Sequence, residues 1–487
     1  MDRIFVFPEP TDSGYALAMT DYVICRILAV ILLLFAVYSV ITLIFLKNEY
    51  HTKLLGVLRC ALPYLPVIIA VLVIKLPAGF LTNDEYAIYN DAVHLIHDTW
   101  FNFMTVYFYI ISLMIFPFTY GPIIMKVIIE FFVVGYCVWR SRGYFGKKAG
   151  SFMYILFLLY PVIAYTTSAH RLPVYFLIYL ALFVKLIFDR LEKKDITYTK
   201  AALVLFAGAV LTQWRTEGIY LLVLVPVLMF MAYPHLRHVK PAIFILAVYM
   251  IFQYILWIPQ NGSGTGNLDS AANDRMKPFY AYTITNMFRN GLDTEKNRED
   301  LEIVDRYLSL DVISAINEHY GDINYEDVLI LYKDGFIGVR EDAGDKEFVD
   351  YSQALKRIFI ANPDVFAKTR WGAFCYAALP YHITWSGTGI RELASFAVSV
   401  VKTVAYNLFI PVVFVAAALI YCLVKRDWFD LFVFGGLAAH WFIVLVLAPA
   451  SYFKYYFPVY IISYFYMIFA VIKYLTGLRF KREKEAA

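Results

Sequence analysis

Long apolar runs separated by short charged loops dominate this chain. Runs long enough to cross a bilayer, or nearly so, lie at 23–46, 58–80, 121–139, 151–167, 172–188, 201–213, 218–233, 241–259, 404–424, 429–449 and 455–476. A crossing helix needs about 20 apolar residues. The shorter runs suit a bundle around a cavity, where neighbouring helices satisfy the backbone. The pattern predicts an all-α polytopic membrane protein with about 11 transmembrane helices. Residues 103–119 are apolar too, but a crossing there would invert either the 81–102 loop or the basic loop at 140–148. They are expected to lie in the interface or to re-enter, ended by Pro117 and Gly121-Pro122.

The pattern changes at residue 260. The run Asn261-Gly262-Ser263-Gly264-Thr265-Gly266-Asn267 is a flexible start. Helical periodicity follows around 296–318 and 350–361, and acidic residues outnumber basic ones by nearly two to one across 260–366. This reads as a small soluble domain inserted between spans. Residues 364–400, with Lys368, Arg370, Trp371, Trp385 and Arg391, read as an amphipathic return along the membrane surface. The predicted organisation is an N-terminal transmembrane bundle at 1–259 with an acidic loop at 81–102, an extracytoplasmic insert and surface segment at 260–403, and C-terminal transmembrane helices with a basic tail at 404–487.

Lys and Arg in short loops set orientation. They gather at 47–59, 140–148, 190–200, 237–240, 425–426 and 479–484. These loops are assigned to the cytoplasm, which puts the C-terminus inside and the N-terminus outside. Residues 81–98 carry Asp84, Glu85, Asp91 and Asp98 without a Lys or Arg, as an outer loop should.

Composition agrees with the pattern. Of 487 residues, 61% are hydrophobic and 17% charged, with mean hydropathy +0.61. A soluble domain could not hide that much apolar surface. Nothing points to nucleic acid as a partner. With 40 Tyr and 41 Phe, an aromatic stripe is packing or an interfacial belt by default. The 5 cysteines are scattered and apolar in setting, and imply neither a disulfide framework nor a zinc site. The N-terminus lacks a basic stretch followed by an apolar one, so no cleaved signal is expected.

Four sites carry candidate chemistry. Asp84-Glu85 opens an amphipathic stretch to Trp100, with Ile88, Ala92, Leu95 and Ile96 against Asn90, Asp91, His94 and Asp98. Acids also suit a helix N-terminus, so a capped interfacial helix would explain them equally. Arg215-Thr216-Glu217-Gly218 interrupts the apolar stretch 201–233, where charges are expensive. It is either a pair that lets a hairpin turn or a guanidinium fork for phosphate. His170-Arg171 and Lys454-Tyr455 sit at span ends, where interfacial snorkelling competes with phosphate binding. Lys126 and Glu130, one turn apart within a span, are expected to neutralise one another. His94, His97, His382 and His440 form no ligand spacing, and no metal site is predicted.

Asn83-Asp84-Glu85-Tyr86, Ser168-Ala169-His170-Arg171, Gln213-Trp214-Arg215-Thr216-Glu217-Gly218-Ile219-Tyr220 and Lys454-Tyr455-Tyr456-Phe457-Pro458 together resemble the GT-C superfamily of membrane glycosyltransferases that use polyprenyl-phosphate sugars. The first is similar to the acidic loop of protein mannosyltransferases and aminoarabinose transferases. The third resembles an Arg-x-x-Gly hairpin, and the fourth a late Arg-Tyr-x-x-Pro helix with Lys454 in place of Arg. The chain departs in having His170-Arg171 where many members keep a second acid, and in placing its soluble part before the last spans. The resemblance implies a GT-C-like fold and transfer of a sugar from a polyprenyl-phosphate donor to a glycan, lipid or protein hydroxyl at the outer face, with inversion. It implies Asp84 as base with Glu85 orienting, and His170, Arg171, Arg215, Glu217, Lys454 and Tyr455 around the phosphate. It leaves open a divalent cation as cofactor, for which no ligand cluster is evident. The competing readings are a transporter or flippase for lipid-linked saccharides, which would favour internal symmetry, and a polysaccharide polymerase, which would favour arginine-rich outer loops. In the predicted topology, an Asp84→Cys variant reacts with an impermeant thiol reagent on intact cells and a Lys147→Cys variant only after permeabilisation. Labelling of position 84 from the interior alone removes that topology.

Overall fold

The structure is a computed structural model and describes residues 4–12, 14–75, 83–96, 102–166, 172–261, 268–319, 338–384, 387, 389–448 and 451–485. Among them the chain is helical throughout, with one isolated antiparallel bridge between Leu308 and Val339. Among the described residues, eight helices are long and apolar enough to cross a membrane. The chain is a polytopic helical membrane protein. It divides into two units: Met1–Thr265 with Ile410–His440 and Phe457–Ala487, and Gly266–Phe409 with Trp441–Tyr456.

The first unit begins with α1 (Tyr15–Phe45), α2 (Glu49–Ala61), α3 (Leu65–Lys75), α4 (Asn83–His94), α5 (Phe103–Ile115) and α6 (Gly121–Phe145). On α1 the buried residues Ala18, Asp21, Tyr22, Cys25 and Ala29 form one stripe at helical spacing. The opposite face exposes Ile27, Ile31, Leu34 and Tyr38, a surface suited to lipid rather than water. Helices α2 and α6 approach closely because both carry glycine at the crossing. A Cβ on Gly135 would stand 2.5 Å from Val57 O, and one on Gly56 would stand 2.6 Å from Trp139 Nε1. Small residues of this kind let membrane helices pack backbone to backbone. Inside α6, Lys126 and Glu130 are both buried, and the Tyr64 hydroxyl lies 3.2 Å from Glu130 Oε1 and 2.9 Å from Phe157 O.

For one apolar run the structure removes one of two expectations, and a second run differs from expectation. Helix α5 is about 20 Å long, short of a hydrocarbon core. It is no interfacial helix, because ten of its residues, Phe103 to Met114, are buried in the unit. The run 151–167 is not one helix either. After α7 (Lys147–Gly150) it breaks into α8 (Tyr154–Leu158) and α9 (Tyr160–Thr166), because Leu159 is extended and Pro161 cannot continue the preceding helix.

Then follow α10 (Leu172–Leu191), α11 (Tyr198–Trp214), α12 (Leu221–Ala232) and α13 (Val239–Asn261). Helix α10 is apolar on every side and buried nearly throughout, as expected of the central post of a bundle. Its last turn carries Asp189, which is also buried. Arg140 Nη1 of α6 lies 2.8 Å from Asp189 Oδ1, and Lys185 Nζ and the Tyr233 hydroxyl each lie 2.6 Å from Oδ2. Arg140 Nη2 also reaches Glu192 at 3.2 Å, and its guanidinium lies over the Phe188 ring. Around this cluster His235 meets Asp195, and Arg190 meets Asp427. The basic loops at 140–148, 190–200, 235–240 and 425–427 are thereby gathered at one end of the unit.

The second unit holds α14 (Leu268–Arg289), α15 (Arg298–Asp305), α16 (Leu310–His319), α17 (Asp345–Ala361), α18 (Pro363–Ala378) and α19 (Ile390–Ala405). Its core is aromatic and aliphatic, built on Tyr280, Met287, Tyr307, Phe348, Tyr351 and Ile358. Asn297 and Asn362 exchange amide hydrogen bonds at 3.3 and 2.9 Å. The surface segment expected at 364–400 is only partly a surface. Arg370 is buried and donates from Nε and Nη2 to Leu445 O and Ala448 O at 2.8 and 2.7 Å. Helix α19 alone has no buried residue, and its exposed stripe is Ile390, Leu393, Val401 and Val404. The chain then forms α20 (Phe409–Lys425), α21 (Trp428–Leu447) and α22 (Phe457–Glu485).

Removing a partner from a buried ion pair costs roughly 3–5 kcal/mol. Asp189→Ala is therefore expected to lower stability by about 3 kcal/mol, read as a lower unfolding midpoint of the purified protein. An unchanged midpoint would show that the cluster does not hold the bundle.

Candidate functional site

The apolar stretch 201–233 breaks where its polar residues lie. Helix α11 ends at Trp214, Arg215 is extended, and a 3₁₀ turn over Thr216–Tyr220 leads into α12. Gly218 is required by proximity rather than by its backbone angles. A Cβ there would stand 2.8 Å from Leu211 O and 3.3 Å from the Tyr175 hydroxyl. The turn closes with Gly218 N–H on Arg215 O at 2.9 Å.

Across this turn Arg215 donates to both oxygens of Glu217, Nε to Oε2 at 3.1 Å and Nη2 to Oε1. Their side chains are only 12% and 15% exposed, so this is a partly desolvated fork rather than a surface pair. Tyrosines from α10 complete the surroundings. Tyr175 and Tyr179 are fully buried, and the Tyr220 hydroxyl donates to that of Tyr179 at 2.9 Å. The buried His440 of α21 meets the Tyr220 ring edge-on at 5.5 Å. Asn102, at the N-terminus of α5, donates to Gln213 O at 3.2 Å, and Gln213 Nε2 donates to Gln253 Oε1 at 2.9 Å.

The carboxylate pair opens α4, as expected, with Asp84 and Glu85 in its first turn. The two differ in setting. Asp84 is half-buried, whereas Glu85 is 1% exposed and shares the buried face with Ile88, Asp91, Ala92 and Leu95. This corrects the predicted face, on which Asp91 was polar and Ile96 apolar: Asp91 is turned inward and Ile96 outward. Leu95 takes a left-handed φ of 56°, and Ile96 N–H bonds Asp91 O at 2.8 Å, closing the helix. Helix α4 packs along α5, and α5 packs against α11.

Of the sequence-predicted site residues, the structure brings Arg215 and Glu217 into contact and keeps Asp84 and Glu85 on one helical turn of the same unit. Lys454 and Tyr455 belong to the second unit, on the turn Phe453–Tyr456, with the Lys454 ammonium over the Tyr452 and Tyr455 rings. His170 and Arg171 lie outside the described residues. No group of three or more His, Cys, Asp or Glu able to hold a metal occurs among the described residues. No family profile, curated protein or solved structure matches this chain. Sequence reasoning missed Tyr175 and Tyr179, and weighed His440 only as a metal ligand. The i, i+4 spacing of the two tyrosines was the available signal.

Gly218→Ala is expected to cost about 1–3 kcal/mol by overpacking against Leu211 O. The same change at Gly143, where nothing stands within 4 Å of a Cβ, should carry no such penalty. Equal unfolding midpoints for the two variants would mean the turn has room to spare.

Proposed function

We propose that this protein is a membrane glycosyltransferase that moves a sugar from a polyprenyl-phosphate donor to an acceptor hydroxyl on the outer face of the membrane, with inversion. One observation carries the reading. The helix carrying Asp84 and the hairpin carrying Arg215 share a neighbour, α5, whose Asn102 holds Gln213 two residues before Arg215. A proton acceptor and a phosphate ligand on elements tied to one helix are what such a transfer needs. The Arg215–Glu217 break also lies at the opposite end of α10 from the basic cluster, in keeping with an outer-face site.

In this reading Asp84 takes the proton of the acceptor hydroxyl as its oxygen attacks the anomeric carbon. The bond from that carbon to the phosphate oxygen breaks, and the electron pair leaves with the polyprenyl phosphate. Arg215 holds the departing phosphate and stabilises its growing charge. Glu85, buried behind Asp84 on α4, orients rather than reacts. His170 and Arg171 are further candidates for the phosphate, and the lipid tail runs among the spans.

The test is a transfer assay in membranes with a panel of polyprenyl-phosphate sugars. Asp84→Asn should lower turnover roughly a hundredfold or more, and Arg215→Ala should weaken it comparably, with both variants expressed and monodisperse. An unchanged product profile for Asp84→Asn rules out the base assignment, and for both variants it rules out the transferase.

A further inference from the structure

At the basic end of the first unit, an open pocket of about 500 Å³ is lined by Arg190, Arg237 and Arg426 together with Phe230, Trp428 and Phe432, and none of its lining residues is acidic. We infer that this pocket binds the phosphate headgroup of an anionic membrane lipid, with the apolar wall taking the first part of its acyl chains.

Three separate segments deliver the cations. Arg190 ends α10, with Nη2 3.2 Å from Asp427 Oδ1 and its guanidinium over the Phe429 ring. Arg237 follows α12 and is fixed by its own bonds to Phe230 O and Met231 O at 2.7 and 3.3 Å. Arg426 forms the turn between α20 and α21 in a left-handed conformation, φ 56°, and makes no ion pair among the described residues. Glycine would serve that backbone at lower cost, so what the position gains from arginine is its side chain. Among the described residues, the one carboxylate bonded to a lining arginine is Asp427, which neutralises one guanidinium of three.

Charge and apolar surface together select the ligand. A free phosphate would engage the guanidinium groups and leave Phe230, Trp428 and Phe432 facing water. A phospholipid uses both halves, since guanidinium forks match phosphate and the pocket lies where span ends meet. Trp428 and Phe432 are exposed on its rim, and aromatic rings at that depth sit well among headgroups. Basic pockets between membrane helices are the usual place for anionic headgroups. This site is independent of the proposed transfer reaction, which uses the opposite end of α10.

The full-length protein, purified in neutral detergent, would be examined by native mass spectrometry with phosphatidylglycerol, with phosphatidylcholine of the same chains, and with phosphatidylglycerol in the presence of millimolar inorganic phosphate. Phosphatidylglycerol should be retained in preference to phosphatidylcholine, and inorganic phosphate should not displace it. Arg426→Gln and Arg190→Gln should each weaken retention about fivefold. Arg426→Lys, which keeps the charge and loses the fork, should fall between Arg426→Gln and wild type, and Lys425→Gln, a neighbouring cation outside the pocket, should stay near wild type. Equal retention of the two lipids, an unaffected Arg426→Gln variant, or displacement by inorganic phosphate would each overturn the proposal. Because Arg426 makes no ion pair among the described residues, its variant remains interpretable if Arg190→Gln fails to fold.

Discussion

The buried carboxylate of Asp189 is the contact on which the first unit depends. It sits at the end of an apolar helix, where an unpaired charge would cost several kcal/mol. The chain meets that cost with three donors from three segments: Arg140 on α6, Lys185 one turn back on α10, and Tyr233 after α12. An ion pair in such a setting adds little net stability compared with an apolar substitute. What it contributes is register, since Arg140 of α6 and Tyr233 after α12 must both meet Asp189, while the Lys185 bond lies within α10 and is indifferent to sliding. The helix ends that carry the basic loops are aligned by the same condition.

From that fixed end, α10 runs as one continuous helix to the opposite one. Tyr175 lies fourteen residues before Asp189, about 21 Å along the axis. There Tyr179 receives the hydroxyl of Tyr220, and Tyr175 stands beside Gly218. The position of the broken hairpin is therefore set by the helix whose other end is fixed by Asp189. The unit has two chemically different ends, one rich in cations and one holding a paired guanidinium and carboxylate among buried tyrosines. The arginine pocket and the hairpin are local expressions of that difference.

The sequence made the membrane class legible because bulk apolarity is a property of single segments. It also exposed Arg215, Glu217 and Gly218, since charges and glycine stand out in an apolar stretch. The breaks at 151–167 were less legible. Pro161 was visible, but whether a proline kinks a span or splits it depends on the packing around it. Asp189 looked like the ordinary end of a span, because its partners lie 49 residues before and 44 after it. Asp91 was misplaced for a related reason. Amphipathic periodicity assumes that the buried face is apolar, and here α4 turns Glu85 and Asp91 inward. Tyr175 and Tyr179 were hidden by abundance: with 40 tyrosines, no single pair announces itself.

The Arg215–Glu217 fork bears on how such a site could work on the proposed reading. A partly buried guanidinium needs a partner to be tolerated at all, and Glu217 supplies one two residues away. That partner is held by a short turn, so its geometry is built before any ligand arrives. A lipid-linked phosphate competes for the same donors with more oxygens and more charge, and an arginine can share its five N–H groups between two anions. Glu217 then serves two purposes. On the proposed reading it holds Arg215 oriented while the site is empty, and it remains close enough to take back the donors once the phosphate departs. On the same reading, retention of the leaving group and its release are balanced in one turn of chain, so that an acid beside the phosphate ligand need not oppose binding.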